Sequence, residues 1–196
     1  PLSESKSIHY PGIGNRASYL LYHEELESLV KHFPTVQRCR FWMTFSEQYL
    51  THLNVLQSVG MTSITPVNHD GHEIVPLQFL KSVLPNPSDL GKNYEGQTCI
   101  GCIITGIKNG VQSTKMIYNR CSHQDCYSDV QSQAISYTTG VPAVVGAKMI
   151  LSKQWQGNGV FNMENFPSTP FMEELPKQGL SWGIIDIESP LDPMNV

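Results

Sequence analysis

Hydrophobic and polar positions along this chain switch between helical and strand periods, and the switches mark its elements. Over residues 19–33 the apolar side chains Leu26, Leu29, Val30 and Phe33 recur at helical spacing, and Pro34 stops the run. Residues 36–45 alternate instead. A strand there places Cys39, Phe41, Met43 and Phe45 on a core face, and Arg38, Arg40, Trp42 and Thr44 on a face for water, a partner or an anionic ligand. Ser46 caps a predicted helix that reaches Val59, striped by Tyr49, Leu53 and Leu56 and stopped by Gly60, with His52 packed beside the stripe. Pro76 opens a short helix over 77–84, and a loop rich in Pro, Gly and Asn follows over 86–97. Asn109-Gly110, between strand-like runs at 99–108 and 111–119, predicts a tight type I′ hairpin. Its first arm is apolar on both faces and is expected to be central; its second arm is more mixed and expected to be less buried. A further strand is predicted over 157–163, a short helix over 171–178 and a last strand over 180–187. Residues 1–9 are expected to be disordered or a linker, 10–187 the domain, and 188–196 a loose tail.

The stretch over 131–151 organises the rest. Apolar or small residues face nearly every direction, and Lys148 is its one charge, so a helix here has almost no solvent side. Polar and small residues interrupt it too often for a bilayer span, which leaves a core helix. Pro142 cannot donate to the carbonyl of Thr138, so a kink or a fresh start is expected there. Beside that freed carbonyl stand Tyr137, Thr138 and Thr139, candidates to line a pocket.

Composition sharpens this. Charged residues are 15% of the chain, against about 25% in an average protein, which suggests a surface normally covered by another domain or subunit. A net charge of -4 gives no electrostatic case for nucleic acid. No run resembles a signal peptide or a membrane span, and five cysteines, an odd number, do not make a disulfide framework. A cytoplasmic protein with no membrane partner is expected. Gly12-Ile13-Gly14-Asn15-Arg16-Ala17 matches a dinucleotide fingerprint in letters, but no buried strand precedes it and no acidic residue follows at the ribose distance. A Pro-Gly turn is the expectation. Cys99, Cys102, Cys121, Cys126 and His123 lie near zinc-site spacings. Cysteines at i and i+3 on a strand point to opposite faces, however, so buried thiols and no metal are expected, with His123 on a loop leaving the sheet.

Several blocks together are specific: Tyr22-His-Glu-Glu-Leu-Glu-Ser-Leu29, Arg40-Phe-Trp-Met-Thr-Phe45, Ile74-Val-Pro-Leu-Gln-Phe-Leu80, Ile100-Gly-Cys102, Gln133-Ala-Ile-Ser-Tyr-Thr-Thr-Gly-Val-Pro-Ala143 and Gly159-Val-Phe-Asn162. They resemble the carboxynorspermidine dehydrogenase branch of the saccharopine dehydrogenase family, over roughly residues 10–185. In this chain Ser122 stands where the family pattern has an acidic residue before the His-Gln pair. The resemblance implies an α+β fold: a mixed β-sheet covered by helices, like the C-terminal domain of glyceraldehyde-3-phosphate dehydrogenase, without the N-terminal Rossmann domain. It further implies the catalytic and dimerisation half of an NADP(H)-dependent enzyme, with the cofactor held by the missing domain, none bound by this stretch, and a homodimer. The implied reaction condenses aspartate 4-semialdehyde reductively with a diamine, 1,3-diaminopropane or putrescine. Such chemistry wants a guanidinium or hydroxyl for the amino-acid carboxylate, for which Arg40, Tyr137, Thr138 and Thr139 are candidates. It wants a carboxylate for the distal ammonium, Glu24 or Glu25 beside Tyr22, and a group titrating near neutrality, His23 or His123. Alternatives are a saccharopine dehydrogenase-type enzyme of lysine metabolism, a non-catalytic dimerisation or binding module, and a small zinc-stabilised module.

Overall fold

The computed structural model describes Leu2 and residues 4–187. The chain forms two compact units: the residues up to Tyr10 together with Gly14–Leu90, and Pro11–Ile13 together with the residues from Gly91 onward.

The first unit is built on an antiparallel sheet of β1 (Ser5–Tyr10), β2 (Gly14–Leu21) and β3 (Phe41–Thr44), with β2 in the middle. Residues 5–9, expected to be frayed, are therefore a strand: Lys6 pairs with Ser18, and Ser18 with Thr44. The chain reverses at Pro11-Gly12, where Gly12 and Gly14 hold φ of +71° and +90°, a region that costs glycine nothing. The Gly-x-Gly letters thus serve a β-hairpin, and no helix N-terminus follows them. Tyr19, Leu20 and Leu21, read as the start of a helix, belong to β2, because pairing on both sides outweighs local periodicity. The helix α1 (Glu25–His32) begins after them. β3 is four residues long, so Arg38 and Arg40 precede the strand. The helix α2 (Glu47–Ser58) starts where Ser46 Oγ accepts the Tyr49 N–H at 3.1 Å. A small hairpin of β4 (Val67–His69) and β5 (His72–Ile74), missed in the pattern, turns on Asp70-Gly71 at φ of +49° and +82°. The helix α3 (Pro76–Val83) carries Leu80, the buried hydrophobic side chain of this unit among the described residues; α1 and α2 bury none.

The second unit carries β6 (Gln97–Lys108), β7 (Val111–Ser122) and β8 (Trp182–Asp186), all antiparallel, in the order β6-β7-β8. The hairpin turns on Asn109-Gly110 at φ of +54° and +78° as its sequence demands. The expected burial is reversed. β7 is the central strand, with Thr114, Met116 and Cys121 buried, while β6 lies at the edge with Ile100, Ile104 and Ile107 exposed. Composition alone could not tell which arm gains a third strand. Every pairing among the described residues is antiparallel, in three separate sheets, so the fold is α+β but the expected mixed sheet is not found.

Ser122 Oγ accepts the Asp125 N–H at 3.2 Å and starts α4 (His123–Val130), where a loop was expected. The helix α5 (Ala134–Leu151) runs through Pro142 as one element. It buries Ala134, Tyr137, Thr138, Val145 and Met149 but leaves Ile135, Val144, Ile150 and Leu151 exposed beside Ser136, Thr139 and Lys148, so it has a solvent side and that side is largely apolar. By length and composition alone, 18 residues at a mean hydropathy of 1.3, it would suffice to cross a membrane. Residues 157–162 make no strand, and Val160 is fully exposed. The helix α6 (Ser168–Glu174) and a 3₁₀ turn (Leu175–Gln178) replace the helix predicted over 171–178. The core joins Val145 and Met149 to Cys121, Cys126, Leu175, Leu180 and Trp155. Trp155 stacks on Phe166 and Phe171 at centroid distances of 4.9 and 5.3 Å and donates its N–H to Pro167 O at 3.0 Å. The predicted tail, 188–196, lies outside the described residues.

Candidate functional site

The residues singled out from the sequence fall into two groups, one in each unit. In the first unit, β2 ends at Leu21 and the chain turns into α1 through Tyr22, His23 and Glu24. The His23 ring lies on Phe41 of β3, centroids 4.4 Å apart and planes inclined by 33°. Its Nδ1 stands 3.8 Å from a Glu24 carboxylate oxygen and 3.6 Å from one of Glu25, inside ion-pair range when the ring is protonated. That nitrogen is shielded from water and makes no hydrogen bond. Glu24 and Glu25, in the first turn of a helix, also meet its positive end, and both side chains are largely exposed. The Tyr22 hydroxyl donates to Glu27, a residue the pattern did not single out, and that bond raises the Tyr22 pKa.

Arg40 is already engaged: its Nη1 lies 3.1 Å from Glu4 Oε1. The cation on the Trp42 ring is not a neighbouring arginine but Lys6, 4.2 Å above the centroid. Burial first, and the Arg40 charge second, lower the Lys6 pKa. A face carrying Lys6, Arg40 and Trp42 therefore exists, as the alternation implied. Its lysine was hidden because β1 reads as a polar, unstructured start.

In the second unit α5 carries Tyr137, Thr138 and Thr139. Tyr137 is buried, and its hydroxyl donates to Gln178 O at 3.4 Å. Burial, and then Asp129, raise its pKa, so it stays a neutral donor. Thr138 and Thr139 both return their hydroxyl protons to Ile135 O, at 3.2 and 2.9 Å, which leaves each oxygen free as an acceptor. Along this helix runs an open, mainly apolar cleft of about 320 Å³ lined by Val130, Ser136, Tyr137, Gly140, Val144 and Gln178. Gly140 faces open space there. His123 is buried at the first position of α4, and its Nδ1 accepts the Ala134 N–H at 3.1 Å. Cys121 and Cys126 are buried neighbours in the core, and burial pushes the Cys126 thiol up to about 11, so these are inert thiols. Among the described residues no group of three or more His, Cys, Asp or Glu side chains is placed to hold a metal ion. The Gly12–Gly14 turn, closing a hairpin, gives a pyrophosphate no helix N-terminus to rest on, so nothing there fits a nucleotide.

An α+β chain whose helix α5 bears Tyr-Thr-Thr-Gly-Val-Pro-Ala above an antiparallel sheet defines a family. The chain belongs to the saccharopine dehydrogenase family: residues 2–180 match its saccharopine dehydrogenase C-terminal domain. Among individual proteins it is similar to the carboxyaminopropylagmatine dehydrogenase of a Synechocystis species, 58% identical over 182 residues, which cover 93% of this chain and 46% of that protein. It is similar also to the carboxynorspermidine synthases of Vibrio alginolyticus, 40% identical over 95% of this chain and 45% of that protein, and Vibrio cholerae, 41% identical over 91% and 43%. The chain spans less than half the length of these relatives.

Proposed function

We propose that this chain is the substrate-binding half of an NADP(H)-dependent dehydrogenase that reductively joins aspartate 4-semialdehyde to agmatine. One observation carries the choice of amine: identity is 58% to the relative named for an agmatine product and 40% and 41% to those named for carboxynorspermidine. A carboxyaminopropyl group is a three-carbon chain bearing an amino and a carboxyl group, so its source is a four-carbon amino-acid semialdehyde. The amine nitrogen attacks the aldehyde carbon, water leaves, and the imine takes a hydride at carbon and a proton at nitrogen. The hydride is the cofactor's contribution, held by a nucleotide domain outside this stretch. The scaffold is read as one like the C-terminal domain of glyceraldehyde-3-phosphate dehydrogenase.

Within this chain, the roles follow from chemistry. Agmatine ends in a guanidinium, which pairs best with carboxylates in a fork. Glu24 and Glu25 are exposed and adjacent, and among the described residues the ion pairs they make are with His23. His23, between those carboxylates and a Phe41 face, is the group assigned to proton transfer. In the first unit Arg40 is assigned to the carboxylate of the semialdehyde, and in the second unit the cleft along α5, walled by Ser136, Tyr137 and Gln178, is taken as a surface for substrate contact. The test is NADPH oxidation by the full-length protein with aspartate 4-semialdehyde and each of agmatine, putrescine and 1,3-diaminopropane. Agmatine is expected to give a kcat/KM about tenfold or more above either diamine. A diamine in first place returns the assignment to the carboxynorspermidine type, and no oxidation with any amine favours a non-catalytic module.

A further inference from the structure

The buried imidazole at the start of α4 has a job that proton transfer does not describe. The first amides of a helix have no acceptor within it and need one from elsewhere. α5 begins at Ala134, whose side chain is completely buried, and its N-cap residue, Gln133, supplies no side-chain hydrogen bond. The acceptor comes from eleven positions back in the chain: Ala134 N–H points at His123 Nδ1, 3.1 Å away and buried. A backbone amide can only donate, so Nδ1 must offer a lone pair and the ring proton must sit on Nε2. Other contacts hold the ring in that attitude. The His123 amide donates to Gly96 O at 3.0 Å, and the Tyr94 ring meets the imidazole at a centroid distance of 4.6 Å and an angle of 87°.

We infer that His123 is a positioning residue: as a neutral acceptor it sets where the first turn of α5 starts, and thereby where Ser136, Tyr137 and Gly140 stand along the cleft. A helix transmits such an anchor rigidly, because each of these residues lies within two turns of Ala134. Burial, which lowers the His123 pKa, keeps the ring in the accepting form. Ser122, the residue before it, is spent on capping α4 and presents no carboxylate to the ring. This inference rests on the proposed function only where its test is kinetic.

The test uses two substitutions in the full-length enzyme. His123→Asn keeps an acceptor oxygen near the Nδ1 position but cannot take and return a proton; His123→Ala removes the acceptor. His123→Ala is expected to raise the KM of the semialdehyde or the amine about tenfold with kcat within about threefold, and His123→Asn to restore KM to within about threefold of the parent. A residue that merely packs would lower the yield or Tm of folded enzyme without this split in KM. If His123→Asn collapses kcat as far as His123→Ala does, or if His123→Ala behaves like the parent, the inference is wrong. Where the alanine variant does not fold, the asparagine variant and a spectrum decide. In histidine-labelled parent protein, His123 Nδ1 should resonate as an unprotonated ring nitrogen coupled across the hydrogen bond to the Ala134 amide nitrogen. A protonated Nδ1 or a missing coupling overturns the inference. The spectrum stands whether or not the enzyme oxidises NADPH with any amine, so a failure of the proposed reaction is told apart from a failure of this assignment.

Discussion

Glu174 is a carboxylate with three donors, and it resists a proton accordingly. Lys148 pairs with it, Lys177 Nζ lies at 3.2 Å and Gln178 Nε2 at 2.9 Å. These bonds, that of Lys148 first, pull its pKa from 4.5 to about 2. A folded pKa below the unfolded one means the stabilisation is complete above about pH 4.5 and is lost as pH falls through about 2. Glu174→Gln is expected to flatten the acid limb of a stability–pH profile from chemical denaturation; an unchanged limb would remove the network from the account. His123 acts in the same direction at higher pH. Its folded pKa lies below 6.5, so the neutral ring is favoured, and this contribution is lost as pH falls below 6.5. Arg40 is the residue whose role needs a discriminating variant, since Glu4 already occupies part of its guanidinium. Arg40→Ala in the full-length enzyme should raise the aldehyde KM more than it lowers kcat, as loss of uniform binding does. An equal effect from Glu4→Gln would make the pair structural.

At the scale of elements, packing decides what local preference leaves open. Gly179 ends the 3₁₀ turn at φ of +88°, and a Cβ there would stand 2.1 Å from the Tyr137 hydroxyl. Gly179→Ala should therefore cost about 1–3 kcal/mol by thermal unfolding, and an unperturbed Tm would mean the turn gives way freely. Met149 is 2% exposed at the centre of the core; Met149→Ala is expected to cost about 2–5 kcal/mol. The elements legible in the sequence were those carrying their own punctuation. Ser46 before α2, Pro76 in α3 and Asn109-Gly110 in the hairpin each perform the local job their chemistry suggests. β1 and the end of β2 were misread because a polar strand and a short apolar run declare themselves as strands only when paired. β6 was misplaced for a related reason: two apolar arms of one hairpin look alike until β8, some sixty residues on, chooses to pair with β7.

At the scale of the molecule, the low charge fraction has a visible counterpart. One face of the β6-β7-β8 sheet leaves Ile100, Ile104 and Ile184 exposed, and α1 and α2 bury no side chain. Exposed apolar surface of this extent is characteristic of faces that are covered in an assembly. We expect a homodimer formed through the open sheet face. Sedimentation of the full-length protein should show it, and Ile104→Lys should shift it toward monomer; a monomer at high concentration for the parent would refute it. The candidate site was legible in part. His23, Glu24 and Glu25 do gather, with the His23 ring on Phe41, because they are consecutive and a turn of helix keeps neighbours together. The bonds that change what a site residue can do join residues far apart in the chain: Glu4 to Arg40, Lys6 over Trp42, Gln178 to Tyr137. The letters of this chain suffice for the Asn109-Gly110 turn, the Ser46 cap, the apolar helix and the family, because those follow from neighbours along the backbone and from blocks of residue types. Which strand is central, which hydroxyls keep their protons and which histidine is locked as an acceptor follow from burial and pairing across the fold, and burial is a property no residue has until the others are in place.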